Sequence, residues 1–442
     1  MVLAVAAAAL AMSAHAPTLL LTPCDVQSVP AGCGTLRVPE DRARPAGRTI
    51  ELRVVVVPAR HQPAPAHAFA YLTGGPGGAA TAETYEVVTA FAAVHDRQDI
   101  LLVDQRGTGR SHPLDCRPAP GGAAALRACA TAAEGDVRRY GTRAAADDLD
   151  AVRAALGYDR LDVYGVSYGA TLAQVYLRRH RGRVRTLVLD GATFLDVPFL
   201  DGYAPNAQRA LDGLAHRCAA ASGCARAFPR WEATLTRLVR HWDERPVRLS
   251  RSRSLDGDGL AGIVHDMLLD PQTAAAIPYV VTRAGAGDLR PLARQAAPGT
   301  RSGQLVFWSI WCDEPWVGLG AGGPWHTLFD GWTRRLLAGY RAACRGLPHR
   351  PEPAAAWHLP RTQVPLLLLA GGADPQDPLA NAAGLRWFFP RGRAVVVPGL
   401  GHGVGSYGCL GGLVSLFVDR ADAAGLDTRC VRAVRPPPFV SG

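Results

Sequence analysis

A serine, an aspartate and a histidine stand out in this sequence, because each follows a short apolar run and sits among glycines or turn residues. Ser167 lies in Gly165-Val-Ser-Tyr-Gly169, Asp374 in Gly371-Gly-Ala-Asp-Pro-Gln-Asp-Pro378, and His402 in Pro398-Gly-Leu-Gly-His-Gly403. A serine hydroxyl is a weak nucleophile near neutral pH. It becomes useful when a base takes its proton, a carboxylate orients that base, and donors receive the oxyanion. His402 and Asp374 have the chemistry of the base and its orienting carboxylate. Asp377, three residues on, competes for the second role, and Asp374 is preferred because it lies closer to the strand end. The oxyanion donors expected are the backbone N–H groups of Tyr168 and Gly75. Gly75 belongs to Thr73-Gly-Gly-Pro-Gly-Gly78, where the missing side chains let backbone approach a substrate closely. Such a set performs acyl transfer through a covalent serine intermediate.

These residues need rigid elements behind them. Residues 161–166 read as a buried strand, and Tyr168, Leu172, Val175 and Tyr176 then recur at helical spacing. A serine at that strand-to-helix turn is forced into a strained backbone with its hydroxyl exposed. The helix N-terminus behind it also favours negative charge developing nearby. Asp374 follows an apolar run at 366–369, and His402 follows one at 394–397. Further runs at 50–57, 68–72, 100–103 and 185–190 read as strands, and 144–156 as an amphipathic helix. Short apolar strands alternating with helices indicate a parallel sheet covered on both faces. The order Ser167, Asp374, His402 is the one used by α/β-hydrolases. The expected class is therefore α/β: an α/β-hydrolase fold, a mostly parallel doubly wound sheet with an inserted helical cap. Its expected parts are a signal peptide at 1–16, core at 17–190, helical cap at 191–360 and core again at 361–442. Residues 17–48 read as an extended, turn-rich entry, and Asp104 to Ser111 as a charged loop that buttresses the site.

Length and composition agree: 442 residues, 48% of them apolar, suit one large domain with an insertion. The net charge of +10 comes from arginines dispersed along the chain without interleaved aromatics, so no nucleic-acid partner is expected. Residues 2–12 are apolar but too short to span a bilayer, and Ala14-His15-Ala16 fits an export cleavage site. No Lys or Arg precedes that run, and no later stretch reads as a transmembrane helix. The ten cysteines fall as neighbours: Cys24/Cys33, Cys116/Cys129, Cys218/Cys224, Cys312/Cys344 and Cys409/Cys430. Sequence does not fix connectivity, but neighbour pairing would close five short loops, as suits a secreted or envelope-associated protein. No C-x-x-C pair or His-Cys cluster points to a metal, and the chemistry requires neither metal nor organic cofactor. The other histidines, among them His112, His180, His265 and His326, have no partners at useful spacing.

Four motifs now stand together: Gly74-Gly-Pro-Gly-Gly78, Asp104-Gln-Arg-Gly-Thr-Gly-Arg-Ser111, Gly165-Val-Ser-Tyr-Gly169 and Gly401-His-Gly403. In combination the chain resembles the secreted α/β-hydrolases of the tripeptidyl aminopeptidase and proline iminopeptidase group. The resemblance extends to Asp374-Pro375, Asp190-Gly191 and the paired cysteines. It implies removal of an amino acid or short peptide from peptide substrates with a free N-terminus. It also implies a cap carboxylate for the substrate ammonium. Cys312-Asp-Glu-Pro-Trp316 makes Glu314 the candidate and Asp313 the reserve. Two residues depart from the pattern. Thr73 stands where His or Asn-Pro is frequent, and Asp377 where Thr is common, adding a second negative charge near the histidine. An esterase or lipase with the same three residues, or a non-catalytic binding module on this scaffold, is the alternative reading.

Overall fold

Alternation within the apolar strands decides the architecture. In the computed structural model, which describes residues 19–116, 122–250, 253–296, 303–320 and 322–440, the expected export signal at 1–16 lies outside the described residues. The strands are β1 (Thr22–Val26), β2 (Val29–Pro39), β3 (Thr49–Val57), β4 (His67–Leu72), β5 (Ile100–Val103), β6 (Arg160–Val166) and β7 (Val184–Asp190). A two-residue hairpin follows, β8 (Val247–Arg248) with β9 (Ser254–Leu255), and then β10 (Leu366–Gly371) and β11 (Gly392–Val397). Nine of these form one sheet in the order β1-β2-β3-β5-β4-β6-β7-β10-β11. From β5 to β11 every neighbouring pair is parallel, while β1, β2 and β3 add an antiparallel edge.

Successive side chains along a strand point to opposite faces. Ala68, Ala70 and Leu72 enter one core with Leu149 and Val152 of the helix Thr142–Ala155 and Leu172 of the helix Tyr168–Arg179. Phe69 and Tyr71 enter the other, with Val87 of the helix Thr84–Ala90 and Phe417 of the helix Leu410–Arg420. Each such aliphatic or aromatic side chain contributes about 1.5–3 kcal/mol by leaving water. The sheet is thereby fixed from both sides.

The chain leaves β4 toward β5 on one side and returns to β6 on the other. The connections after β4 and β6 therefore leave the sheet in opposite directions, and the carboxyl ends of strands at such a switch point are where sheets of this kind bind ligands. The glycine loop 73–78 and Ser167 lie at that point.

Between β7 and β10 the chain is helical, and it packs as two parts rather than as the single cap expected at 191–360. Helices Tyr203–Ala220, Trp231–Glu244, Gly257–Leu269 and Pro271–Gly285 bury Leu211, Leu235, Leu260 and Ile277 in a core of their own. The helix Gln304–Asp313 instead buries Leu305, Val306, Ile310 and Trp311 in the core under the sheet. Within the entry expected at 17–48, the chain from Thr22 to Pro39 is extended and folds as the β1–β2 edge hairpin. Among the described residues no helix is long and apolar enough to cross a membrane.

All five neighbour pairings of cysteine are formed: Cys24–Cys33, Cys116–Cys129, Cys218–Cys224, Cys312–Cys344 and Cys409–Cys430. Closing such short loops removes freedom from the unfolded chain, on the order of 2–4 kcal/mol each in the chain-entropy account. Cys312–Cys344 ties Gln304–Asp313 to the helix Asp330–Gly346.

Candidate active site

Ser167 occupies a backbone conformation that side chains seldom adopt, with φ 57° and ψ −127°, between β6 and the helix Tyr168–Arg179. The two flanking glycines make this turn possible. A Cβ on Gly165 would lie 2.2 Å from Gly169 O, and one on Gly169 would lie 2.0 Å from Leu72 O. The glycine loop closes from the other side, because a Cβ on Gly74 would lie 3.0 Å from Ser167 Cβ. Tyr168 is the first residue of its helix, so its N–H has no acceptor within that helix. Gly75 follows Gly74 with φ 127°. The structure thus places Tyr168 in the serine turn itself and Gly75 next to the glycine that packs against it. Thr73 is turned away from it, its hydroxyl bonded to Glu83, which also accepts the Tyr71 hydroxyl at 2.6 Å.

Asp374 and His402 meet, with 2.9 Å between Asp374 Oδ2 and His402 Nδ1. Asp374 is fully buried and accepts the backbone N–H groups of Gln376 (2.9 Å) and Asp377 (2.8 Å) on its other oxygen. Burial alone would raise its pKa, yet the neighbouring imidazole and those two amides bring it below the ordinary aspartate value. Asp377 stands further from His402, at 3.7 Å, and is held by the Thr193 hydroxyl and by Gln376 Nε2 at 3.0 Å. It lacks the amide donors and close imidazole of Asp374, so burial raises its pKa. Geometry therefore separates the two rivals: Asp374 bonds the imidazole and Asp377 adds charge beside it.

His402 is fixed from three directions. Its N–H donates to Leu269 O at 2.8 Å, its ring lies where a Cβ on Gly191 would be 2.8 Å from Nδ1, and Asp190 binds the loop that follows. Asp190 accepts Val404 N at 2.8 Å, Gly405 N at 2.7 Å and the Tyr164 hydroxyl. The N–H of Ser167 bonds Asp190 O at 2.9 Å. The serine turn thus rests on Asp190 and the imidazole on the next residue, Gly191. Nε2 of His402 is buried and has no hydrogen-bond partner among the described residues. Burial opposes the imidazolium, but Asp374, Asp377 and Asp190 together raise the pKa of His402 above the usual histidine value. An imidazole held in this way, one nitrogen on a carboxylate and the other free, can take and return a proton.

Glu314 and Asp313 do not come to this place. Glu314 is only 4% exposed and spends both oxygens on its own chain. Oε1 accepts Thr142 N at 2.6 Å, while Oε2 accepts the Thr142 hydroxyl at 2.7 Å and Trp316 Nε1 at 2.6 Å. Burial raises its pKa to about 8, against the pull of those donors. Asp313 accepts Arg350 N at 2.7 Å, and burial raises its pKa to about 6. The cavity these two carboxylates line, about 430 Å³, has none of Ser167, Asp374 or His402 in its wall. In this structure the acceptors of both are occupied by the chain itself, and the cavity they line is walled by none of the three residues above.

The loop 104–111 buttresses the site as expected. Asp104 accepts Thr81 N and Arg110 N, Gln105 Nε2 donates to the Tyr168 hydroxyl at 3.0 Å, and the fully buried Arg106 grips Asp148 at 2.6 and 2.7 Å. Two histidines expected to be without partners have them: His180 bonds Asp147 at 2.9 Å, and His265 packs at a tilt against the stacked Tyr203 and Trp332 rings. The sequence reading gave no role to Thr193, and none to Asp190 beyond resemblance. A charged residue closing the apolar run 185–190 was the available signal for Asp190.

Comparison with known proteins supplies the family. A family model described as alpha/beta hydrolase fold matches residues 69–406. Serine protease Hip1 of Mycobacterium tuberculosis is 29% identical over 282 residues, 54% of this chain and 53% of that protein. Tripeptidyl aminopeptidase of Streptomyces lividans is 34% identical over 188 residues, 36% of this chain and 35% of that protein. Proline iminopeptidase of Neisseria gonorrhoeae is 34% identical over 121 residues, 27% of this chain and 31% of that protein. The chain thus spans about half the length of the first relative and about a third of the other two.

Proposed function

The chain belongs to the alpha/beta hydrolase fold family, and from that premise we propose that it is a secreted or envelope-associated serine hydrolase. In this reading it removes an amino acid or short peptide from free N-termini. The observation that carries the proposal is the buried Asp374–His402 pair, whose second imidazole nitrogen is unpartnered, beside a strained serine turn. His402 Nε2 takes the proton of Ser167 as Oγ attacks the scissile carbonyl. Asp374 holds the imidazole in the tautomer that makes this possible. The amides of Tyr168 and Gly75 receive the oxyanion. The imidazolium then protonates the departing amine, and a water deprotonated by His402 hydrolyses the acyl-enzyme.

Export is supported by five disulfides, which persist where the surroundings are oxidising. The helices between residues 203 and 285 act as a cap, and the bond from His402 N to Leu269 O couples them to the base. The peptide substrate is supported by the names of the three relatives. An esterase is the second reading, and one observation favours it: the carboxylates proposed for an ammonium are bonded to the chain itself.

The deciding experiment compares a peptide anilide with a free N-terminus against its N-acetylated form. A large preference for the free amine supports an aminopeptidase, and equal rates remove that reading. A fluorophosphonate probe that fails to label Ser167 would remove the serine-hydrolase reading altogether.

A further inference from the structure

Glu314 is a buried carboxylate with three donors and, among the described residues, no cation bonded to it. Its neighbours lead back to the serine. The Thr142 hydroxyl touches both Glu314 Oε2, at 2.7 Å, and the Tyr168 hydroxyl, at 2.9 Å. Gln105 Nε2 bonds the same tyrosine hydroxyl at 3.0 Å, and the Trp316 ring lies 6.4 Å from the tyrosine ring. Tyr168 is itself the residue after Ser167, so whatever fixes its buried side chain fixes the direction of its backbone N–H.

The other donor is held from the same helix. Gly303, immediately before Gln304–Asp313, packs so tightly on the glycine loop that a Cβ there would lie 2.9 Å from Gly77 Cα and Gly77 O. Gly303 N is anchored on Asp115 at 2.6 Å, and Leu305 N on Leu114 O at 3.2 Å. One short helix therefore rests one end on the loop containing Gly75 and delivers Glu314 and Trp316 at the other end behind Tyr168. The disulfide Cys312–Cys344 pins that second end.

We propose that Glu314, acting through Thr142 on Tyr168, is a positioning residue for the oxyanion amides, and that the helix Gln304–Asp313 braces both donors as one unit. This rests on the serine-hydrolase reading above. A donor amide removed from an oxyanion site costs roughly 10²–10³ in kcat. One that is still present but misaimed costs less, and about tenfold is expected here. The loss appears in kcat, because a substrate carbonyl needs the donors less than the oxyanion does.

The test uses the full chain and the variants Thr142→Val, Tyr168→Phe and Glu314→Gln, each checked for a cooperative thermal transition. Two readouts are taken: steady-state kcat and KM on a peptide anilide or ester that the wild type turns over, and the rate of fluorophosphonate labelling. The labelling rate is independent of any substrate N-terminus. The expected result is a roughly tenfold fall in kcat and in labelling rate, with KM within about twofold. Combined substitutions should cost little more than single ones, because the three residues act as one chain. Thr142→Ser, which returns the hydroxyl, should recover the rate lost in Thr142→Val. Folded variants that keep wild-type kcat and labelling overturn the inference. So does a loss confined to KM for free-amine substrates, which would return Glu314 to ammonium binding. A wild type that neither labels nor hydrolyses overturns the hydrolase reading instead.

Discussion

Two carboxylates lie equally deep on either side of Ser167 and carry opposite electrostatics. Asp374 has a histidine at 2.9 Å and two backbone amides, and its pKa falls below the ordinary value despite burial. Glu314 has one amide, one hydroxyl and one indole N–H but no bonded cation, and burial prevails, raising its pKa to about 8. Neutral donors can satisfy every lone pair of a carboxylate and still not offset its lost hydration. A nearby positive charge decides the sign. The difference matches the proposed division of labour, in which Asp374 must stabilise an imidazolium during the reaction and Glu314 only needs to hold its shape.

The sharpest way to break this contrast is to neutralise each group at constant shape. Asp374→Asn should lower kcat by about 10⁴, since the amide favours the wrong imidazole tautomer and leaves the developing cation uncompensated. Glu314→Gln should cost only about tenfold. Comparable losses in the two variants, measured as kcat or as labelling rate, would mean that the two sites do the same work.

Stability against pH separates them next. A carboxyl with a raised folded pKa keeps its proton over a range where the unfolded chain releases it. The folded state then binds more protons, and stability falls as pH rises. For Glu314 that window runs from about 4.5, the ordinary glutamate value, to about 8. Denaturant midpoints should therefore show wild type losing ground to Glu314→Gln across this window, by a few kcal/mol in order of magnitude. Asp374 acts the other way: its contribution is present above the ordinary aspartate pKa and disappears as pH falls through its lowered folded value. Parallel curves for wild type and Glu314→Gln would remove the claim that this carboxyl is held neutral by burial.

How much of this the sequence revealed follows the same division. Ser167, Asp374 and His402 each end an apolar strand beside glycines, and strand ends converge at one edge of a parallel sheet, so local signals implied their meeting. Apolar runs placed β4 to β7, β10 and β11 within two residues at each end, because burial on both faces leaves little choice of residue type. Neighbour pairing of the cysteines was legible for a related reason: a short loop is the easiest to close. The surroundings of Glu314 were not legible, because they come from Thr142, distant in sequence, and from Trp316 two residues away, and no local pattern says that a carboxylate will find three donors. The division of residues 191–360 was equally hidden. The helix Gln304–Asp313 has an apolar sequence much like that of its neighbours, and only tertiary contact assigns it to the sheet's core.

Asp377 offers the finest cut through the comparison, because it is a carboxylate of the second kind placed beside the first. It lies 3.7 Å from His402, with no cation bonded to it, and its negative charge when ionised adds to those that raise the imidazole pKa. Only the neutral imidazole can accept the Ser167 proton, so kcat/KM should climb with pH through neutrality and level off only above about 9, the value to which the neighbouring carboxylates raise His402. Asp377→Asn keeps an acceptor for the Thr193 hydroxyl while removing the charge. The acid limb of the kcat/KM profile should then move to lower pH, by up to about one unit, with the plateau changed by less than about threefold. Activity at pH 6 would rise relative to wild type while activity at pH 10 and above stayed close to it. If the limb does not move, Asp377 is already neutral in the working enzyme and Asp374 alone sets the base. If the plateau collapses as it does for Asp374→Asn, the two aspartates share the imidazole and the distinction drawn between them from 2.9 and 3.7 Å is void.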